Sequence, residues 1–139
     1  MAWAALILWV VTALGGIYLL TTWLRHGGMQ QGDRPGRRIK PPLILGHFTL
    51  AATGLVLWIV YVATDSDALA WIAFVLLLVV ALLGFTMLAA WLAQRGGATA
   101  AETADAAERN FPQAVVGLHG VLAATTLVLV FLATIGVGD

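Results

Sequence analysis

The chain has 139 residues, of which 61% are hydrophobic and 10% are charged, and its formal net charge is zero. A typical soluble domain is about 45–50% apolar and about 25% charged, so this composition predicts an integral membrane protein. The zero net charge argues against a nucleic-acid partner. The absence of cysteine excludes disulfides and thiolate metal sites.

Four apolar segments account for most of the chain, because each membrane crossing needs roughly 20 apolar residues. Neither a basic start nor a cleavage site marks the first segment as a secretory signal, so we expect it to be retained. Pro41 and Pro112 are expected to start the second and fourth segments, since proline is tolerated in the first helical turn. We expect a single membrane domain over residues 1–139, with spans at about 3–24, 41–62, 69–92 and 112–135.

The connections between the spans differ in charge. All seven Lys and Arg lie in two of them, the loops 25–40 and 93–111, whereas Asp65 and Asp67 lie in the third. The positive-inside rule predicts that the two basic loops are cytoplasmic and that both termini are outside. We therefore expect an integral protein of a bacterial inner or plasma membrane.

Tryptophans lie near the predicted ends of the spans. Trp3, Trp58 and Trp71 are near the outer ends, and Trp23 and Trp91 are near the inner ends. Indole rings favour the headgroup region, where one part of the ring is apolar and the N–H is wet. These residues are therefore predicted to be interfacial anchors.

The second and fourth spans contain an internal repeat. In the ten positions after His47 and after His119, seven residues are identical, and the two histidines are separated by 72 positions (47 to 119). The first and third spans align in the same way, with Trp3 on Trp71 and Gly16 on Gly84. We predict an all-α bundle of four transmembrane helices that is built from a duplicated two-helix hairpin, with its pseudo-two-fold axis along the membrane normal.

The repeat predicts that His47 and His119 lie at equal depth, roughly 10 Å from the starts of their helices. In a four-helix bundle wound in chain order, the second and fourth helices are diagonal, so their inward side chains face each other. Small residues, Ala51 and Ala123, follow the histidines on the same helical faces. An ionisable side chain in such apolar sequence is a functional-site candidate.

Histidines on the second and fourth helices, with Gly16 and Gly84 at matching depth on the first and third, resemble the four-helix haem-binding bundle of b-type cytochromes. The resemblance implies one six-coordinate haem b with His47 and His119 as axial ligands, serving one-electron transfer. It also implies that the glycines lie beside the porphyrin. A second histidine on each haem helix, typical of those cytochromes, is missing, so a two-haem relay is not predicted.

The haem propionates would point to the nearer, cytoplasmic interface. Basic residues that precede the two histidine helices are candidates to neutralise them there: Arg37, Arg38, Lys40 and Arg109.

Simpler interpretations of these residues remain open. The histidines are also compatible with a structural polar contact between helices, and the glycines with ordinary helix packing. A pigment or a bare metal ion is a further alternative for the pair, although Zn and Cu sites usually have more than two protein ligands.

Several functional classes remain open as well. The main alternative to an electron carrier is an accessory subunit of a larger respiratory or photosynthetic membrane complex, with no cofactor chemistry of its own. A transporter is disfavoured because the spans contain no Asp, Glu, Lys or Arg. An enzyme is disfavoured because no acid, base or nucleophile set can be assembled. Expected partners are the lipid bilayer and a larger complex or redox protein, and a quinone is a candidate.

Overall fold

In a computed structural model, the described residues are 1–30, 39–97 and 106–138. They form four long α-helices and one short 3-10 helix, Ala107–Asn110, and no strand occurs within these ranges. All four long helices are long and apolar enough to cross a membrane, which confirms the predicted fold class. The helices are α1 (Ala2–Arg25), α2 (Pro41–Thr64), α3 (Asp67–Gly97) and α4 (Gln113–Thr134).

The helix boundaries follow local sequence chemistry. Pro41 begins α2 as predicted, whereas Pro112 is the extended residue that precedes α4. Helix α3 extends to Gly97, beyond the predicted end near Leu92, because Ala93, Gln94 and Arg95 all favour helix. Of the predicted loop 93–111, residues 98–105 lie outside the described ranges, and the part that precedes α4 contains the 3-10 helix.

The helices form two closely packed pairs. Helix α2 packs most extensively against α3, and α1 packs most extensively against α4. The contacts of α1 with α2 and of α3 with α4 are smaller, and the described residues show no extensive packing between α2 and α4. The histidine helices are therefore diagonal, as predicted. Each close pair joins one helix from each copy of the repeat, so the two copies are interlocked.

Two apolar cores divide the bundle along its length. The turn end, which carries the Asp65–Ser66 turn, contains a core centred on Trp9, Trp58 and Tyr61. The loop end, from which the two long connections leave, contains a core with Trp23 and Trp91. Helices α2 and α4 begin at the loop end, and His47 and His119 lie within the first two turns of these helices. The histidines therefore lie between the two cores.

Three of the predicted interfacial tryptophans are instead buried inside the protein. Trp23 and Trp58 are fully buried and Trp91 is nearly so, whereas Trp3 is 67% and Trp71 is 46% exposed. Protein carbonyls satisfy two of the buried indoles: Trp58 Nε1 donates to a carbonyl on α1, and Trp91 Nε1 donates to the carbonyl of the 3-10 helix. Only Trp3 and Trp71 therefore face outward as anchors would.

The loop end is closed by the segments that follow α1 and precede α4. A side chain on Gly28 would overlap the indole of Trp23, so the chain lies directly on that ring. Glu108 of the 3-10 helix is fully buried, and its Oε1 accepts from the backbone N–H of Ile39 and from Gln94 Nε2, both at 3.4 Å. These contacts seal the loop-end core.

Candidate functional site

The structure brings His47 and His119 together in the interior of the bundle. Their ring centroids are 6.5 Å apart, and the ring planes are inclined at 63° in an edge-on arrangement. The side chains come from diagonal helices, α2 and α4, so they meet across the bundle axis. The predicted pairing of the two histidines is therefore realised in the structure.

Each histidine is held by a backbone carbonyl of the helix that packs closest to it. His47 Nδ1 donates to the carbonyl of Val80 on α3, and His119 Nδ1 donates to the carbonyl of Thr12 on α1, both at 3.0 Å. A carbonyl oxygen can only accept, so Nδ1 must carry the proton in both rings. In a neutral imidazole, Nε2 is then left unprotonated with its lone pair available.

The two Nε2 atoms make no hydrogen bond with residues 1–30, 39–97 or 106–138. Both rings are half-buried and in an apolar surrounding. The arrangement therefore presents two imidazole lone pairs inside the bundle, each on a ring whose other nitrogen is already bonded. This is the usual condition of a histidine that binds a metal.

The two carbonyl acceptors occupy equivalent positions in the internal repeat. Val80 follows Thr12 by the same 68 positions that separate Trp71 from Trp3. His47 belongs to the first copy and is held by the second, whereas His119 belongs to the second copy and is held by the first. The site is thus symmetric and is shared between the copies.

Gly16 and Gly84 lie directly against the imidazole rings. A Cβ atom added to Gly16 would stand 3.1 Å from Cε1 of His119, and one added to Gly84 would stand 3.2 Å from Cε1 of His47. The prediction that these glycines share the depth of the histidines is correct. Their immediate contact is the histidine of the facing helix, and their place beside a porphyrin remains a prediction.

The other predicted site residues are less directly connected to the pair. Ala51 and Ala123 are half-buried, and Ala51 packs against the turn-end core. Arg109 is exposed on the 3-10 helix, at the loop end of the bundle. Arg37 and Arg38 lie outside the described residues.

A polar contact next to the site was not anticipated from the sequence. Thr12 Oγ1 and Thr126 Oγ1 are 3.2 Å apart, and both side chains are buried. Thr126 lies seven positions after His119, so α4 contacts Thr12 through two side chains. The signal was present in the repeat, because the equivalents of Thr12 and Thr126 in the other copy are Val80 and Gly54.

The closest helix pairs define where a flat ligand would lie. His47 belongs to the pair α2/α3 and His119 to the pair α1/α4, and the less extensive interface between these pairs will be called the seam. The two rings face each other across the seam. The seam is therefore the interface at which His47 and His119 would hold a shared ligand.

The turn-end half of the seam is filled by aromatic side chains. The ring centroids of Trp9 and Trp58 are 6.3 Å apart, and those of Trp58 and Tyr61 are 4.7 Å apart. Tight aromatic packing at this level agrees with the absence of histidine from the turn-end parts of α2 and α4. The described residues therefore contain one level of paired histidines along the seam.

The described residues contain no group of three or more His, Cys, Asp or Glu that could hold a metal ion. A ligand of the pair would therefore draw its remaining coordination from somewhere other than these side chains. Comparison with known proteins found no matching family model, curated protein or solved structure.

Proposed function

We propose that this protein is a membrane-embedded electron carrier like a b-type cytochrome, with one haem b bound by His47 and His119 between α2 and α4. The observation that carries the proposal is the pair of imidazoles facing each other across the seam, 6.5 Å apart, with both Nδ1 atoms bonded to carbonyls. The bonds to carbonyls alone would equally serve a structural contact between helices, whereas the two Nε2 atoms, which make no hydrogen bond with the described residues, favour a ligand between the rings.

The separation of the rings suits two axial ligands of one metal. A bond from a metal to an imidazole nitrogen is about 2 Å, so two such bonds and the half-widths of two rings give roughly 6 Å between centroids. The observed 6.5 Å between centroids is close to this sum, which applies when both Nε2 atoms point at one metal. The porphyrin would supply the four remaining nitrogen ligands, which agrees with the lack of a third protein ligand among the described residues.

The protein groups around the rings would tune such a site. The carbonyls of Val80 and Thr12 fix the imidazole tautomer and orientation. Two imidazole ligands leave the iron without an open position, so the bound haem would supply reversible one-electron chemistry. The protein would therefore serve as an electron carrier and not as an enzyme on its own.

The loop end is the proposed cytoplasmic side, since Arg25, Lys40, Arg95 and Arg109 all lie there and are exposed. Lys40 and Arg109 flank the starts of α2 and α4 and would neutralise haem propionates directed to that side. A larger membrane complex, a redox protein or a quinone would exchange the electron.

The proposal is tested by the absorption spectrum of the purified protein from a haem-producing host. We expect a Soret band and, on reduction, the sharp α-band of low-spin haem b. His47→Ala and His119→Ala are each expected to abolish the low-spin signature, because one axial ligand is lost. His26→Ala is the matched control, since His26 is exposed and lies just after the end of α1, where its Nδ1 contacts the carbonyl of Thr22.

A colourless protein after haem supplementation would contradict the proposal. Stable copurification of that colourless protein with a larger membrane complex would instead identify it as an accessory subunit. An intact low-spin spectrum in both single variants would refute the assignment of the axial ligands.

A further inference from the structure

The carbonyls of Thr12 and Val80 must each accept two hydrogen bonds, one from their own helix and one from a histidine of the facing helix. In an α-helix the carbonyl of each residue accepts from the N–H of the residue four positions later. That residue is Gly16 for Thr12 and Gly84 for Val80. Each of these carbonyls therefore uses one lone pair within its helix and the other for the histidine of the facing helix.

A side chain at position 16 or 84 would cover the carbonyl that the histidine needs. Cα–Cβ bonds in a helix point toward its N-terminus, so a side chain lies over the preceding turn. The contacts agree with this geometry: added Cβ atoms would lie 3.1 Å and 3.2 Å from the Cε1 atoms of the two rings, closer than ordinary van der Waals contact. A glycine has no side chain to cover the preceding turn, so the carbonyl there stays accessible to the histidine.

The neighbouring position provides an internal comparison. A Cβ atom on Gly15 would lie 3.6 Å from Nδ1 of His119, which is an ordinary contact distance. Its equivalent in the other copy is Leu83, so a full side chain is accepted there beside an identical histidine contact. The requirement for glycine is therefore specific to positions 16 and 84, and it is not a general demand for close helix packing.

From this geometry we infer that Gly16 and Gly84 are positioning residues that expose one carbonyl each and thereby set the Nδ1–H tautomer of the opposite histidine. Gly16 acts on His119 and Gly84 acts on His47. The effect of the tautomer on haem binding rests on the proposed function, whereas the tautomer itself is a property of the protein without haem.

The test measures histidine tautomers by ¹⁵N NMR in haem-free protein in detergent micelles. We expect both His47 and His119 to carry the proton on Nδ1 in the wild-type protein. Gly16→Val is expected to populate the Nε2–H tautomer of His119 while leaving His47 unchanged, and Gly84→Val is expected to do the reverse. Gly16→Ala and Gly84→Ala are expected to give smaller shifts in the same direction.

The unaffected histidine in each variant reports that the bundle is intact. Gly15→Ala is the matched control, and we expect it to change neither ring. The inference would be overturned if both valine variants kept the wild-type tautomers, if either variant altered both rings equally, or if Gly15→Ala altered His119 as strongly as Gly16→Val.

Haem titration of the same variants separates this inference from the proposed function. Loss of a partner that orients a metal ligand typically weakens metal binding about 10- to 100-fold, and we expect a loss of this size for both valine variants. Wild-type protein that binds no haem but shows the expected tautomer changes would refute only the electron-carrier proposal. Haem binding with unresponsive tautomers would refute only the role of the glycines.

Discussion

The two copies of the hairpin are alike at the level of the histidines and unlike in the turn-end core. At the histidines, both copies contribute an imidazole, a bare glycine and an accepting carbonyl. In the turn-end core, Trp58 is equivalent to Val130, and both are fully buried. The two copies are thus symmetric where the histidines meet, whereas the packing of the turn-end core needs only that the available volume is filled.

The asymmetry of the core extends to neighbouring positions. Trp9 is equivalent to Leu77, and Tyr61 is equivalent to Ala133, so the larger residue of each pair belongs to the first copy. Large and small side chains can alternate across an interface at native density, since a core depends on total volume and on shape. The turn-end core should therefore be sensitive to changes in its large members.

The largest effect on stability is expected for Trp58→Ala. The side chain is fully buried between Trp9 and Tyr61, and its removal leaves a cavity that costs about 3–5 kcal/mol. The measurement is the free energy of unfolding in detergent micelles. Trp3→Ala, at a position that is 67% exposed, is the control and should change stability little. Equal losses in the free energy of unfolding of the two variants would show that the burial of Trp58 does not stabilise the turn-end core.

A smaller effect is expected when a methyl group is added at Gly54, which packs against the turn-end core. A Cβ atom on Gly54 would lie 3.1 Å from Cζ2 of Trp9, a ring already packed against Trp58. We expect Gly54→Ala to lower the free energy of unfolding by about 1–3 kcal/mol through overpacking.

Gly120→Ala is the matched control for Gly54→Ala, because nothing among the described residues, apart from its chain neighbours and its own helical backbone, lies within 4 Å of the added Cβ. The higher helix propensity of alanine should leave that variant unchanged or slightly more stable. A stabilised Gly54→Ala protein would contradict the tight packing of Trp9.

The smallest effect is expected when the polar contact found in one copy is removed. Thr126→Val deletes the hydroxyl that contacts Thr12 and should cost about 0.6 kcal/mol, typical of side-chain hydrogen bonds in membrane proteins. The cost stays small because the hydroxyl of Thr12 keeps the carbonyl of Leu8 as its acceptor.

The adjacent residue serves as the control for Thr126→Val. Thr125 is exposed and its hydroxyl donates to the carbonyl of Val121 in its own helix, so Thr125→Val should be closer to neutral. A loss at Thr125 that equals the loss at Thr126 would argue against a specific bond between α1 and α4.

The pairing of the histidines and the depth of the glycines could be predicted because the repeat relates them directly. Two equivalent residues in two copies of one hairpin must lie at the same depth, whatever the details of packing. The placement of Trp23, Trp58 and Trp91 could not be predicted in the same way. Position along a span gives depth in the membrane, but helix rotation decides whether an indole faces lipid or the interior.

The carbonyls that accept hydrogen bonds from the histidines could not be predicted from the sequence either. Every residue has a carbonyl, so nothing in the letters at positions 12 and 80 marks them as hydrogen-bond partners. The residues four positions later are Gly16 and Gly84, and glycines can be recognised in the sequence. The sequence alone could not decide whether they make room for a porphyrin, for a neighbouring helix or for a hydrogen bond to a carbonyl. Similarly, Thr12 and Thr126 stood out only as departures from the repeat.

The exchange of partners between the copies sets the order in which the site can form during membrane insertion. Helices α2 and α3 are consecutive, so the contact of His47 with Val80 becomes available once the third helix is inserted. The contact of His119 with Thr12 joins the first and last helices and must wait for α4. A ligand that needs both imidazoles can therefore be captured only after the last helix has entered the bilayer, so a half-made protein holds no complete site.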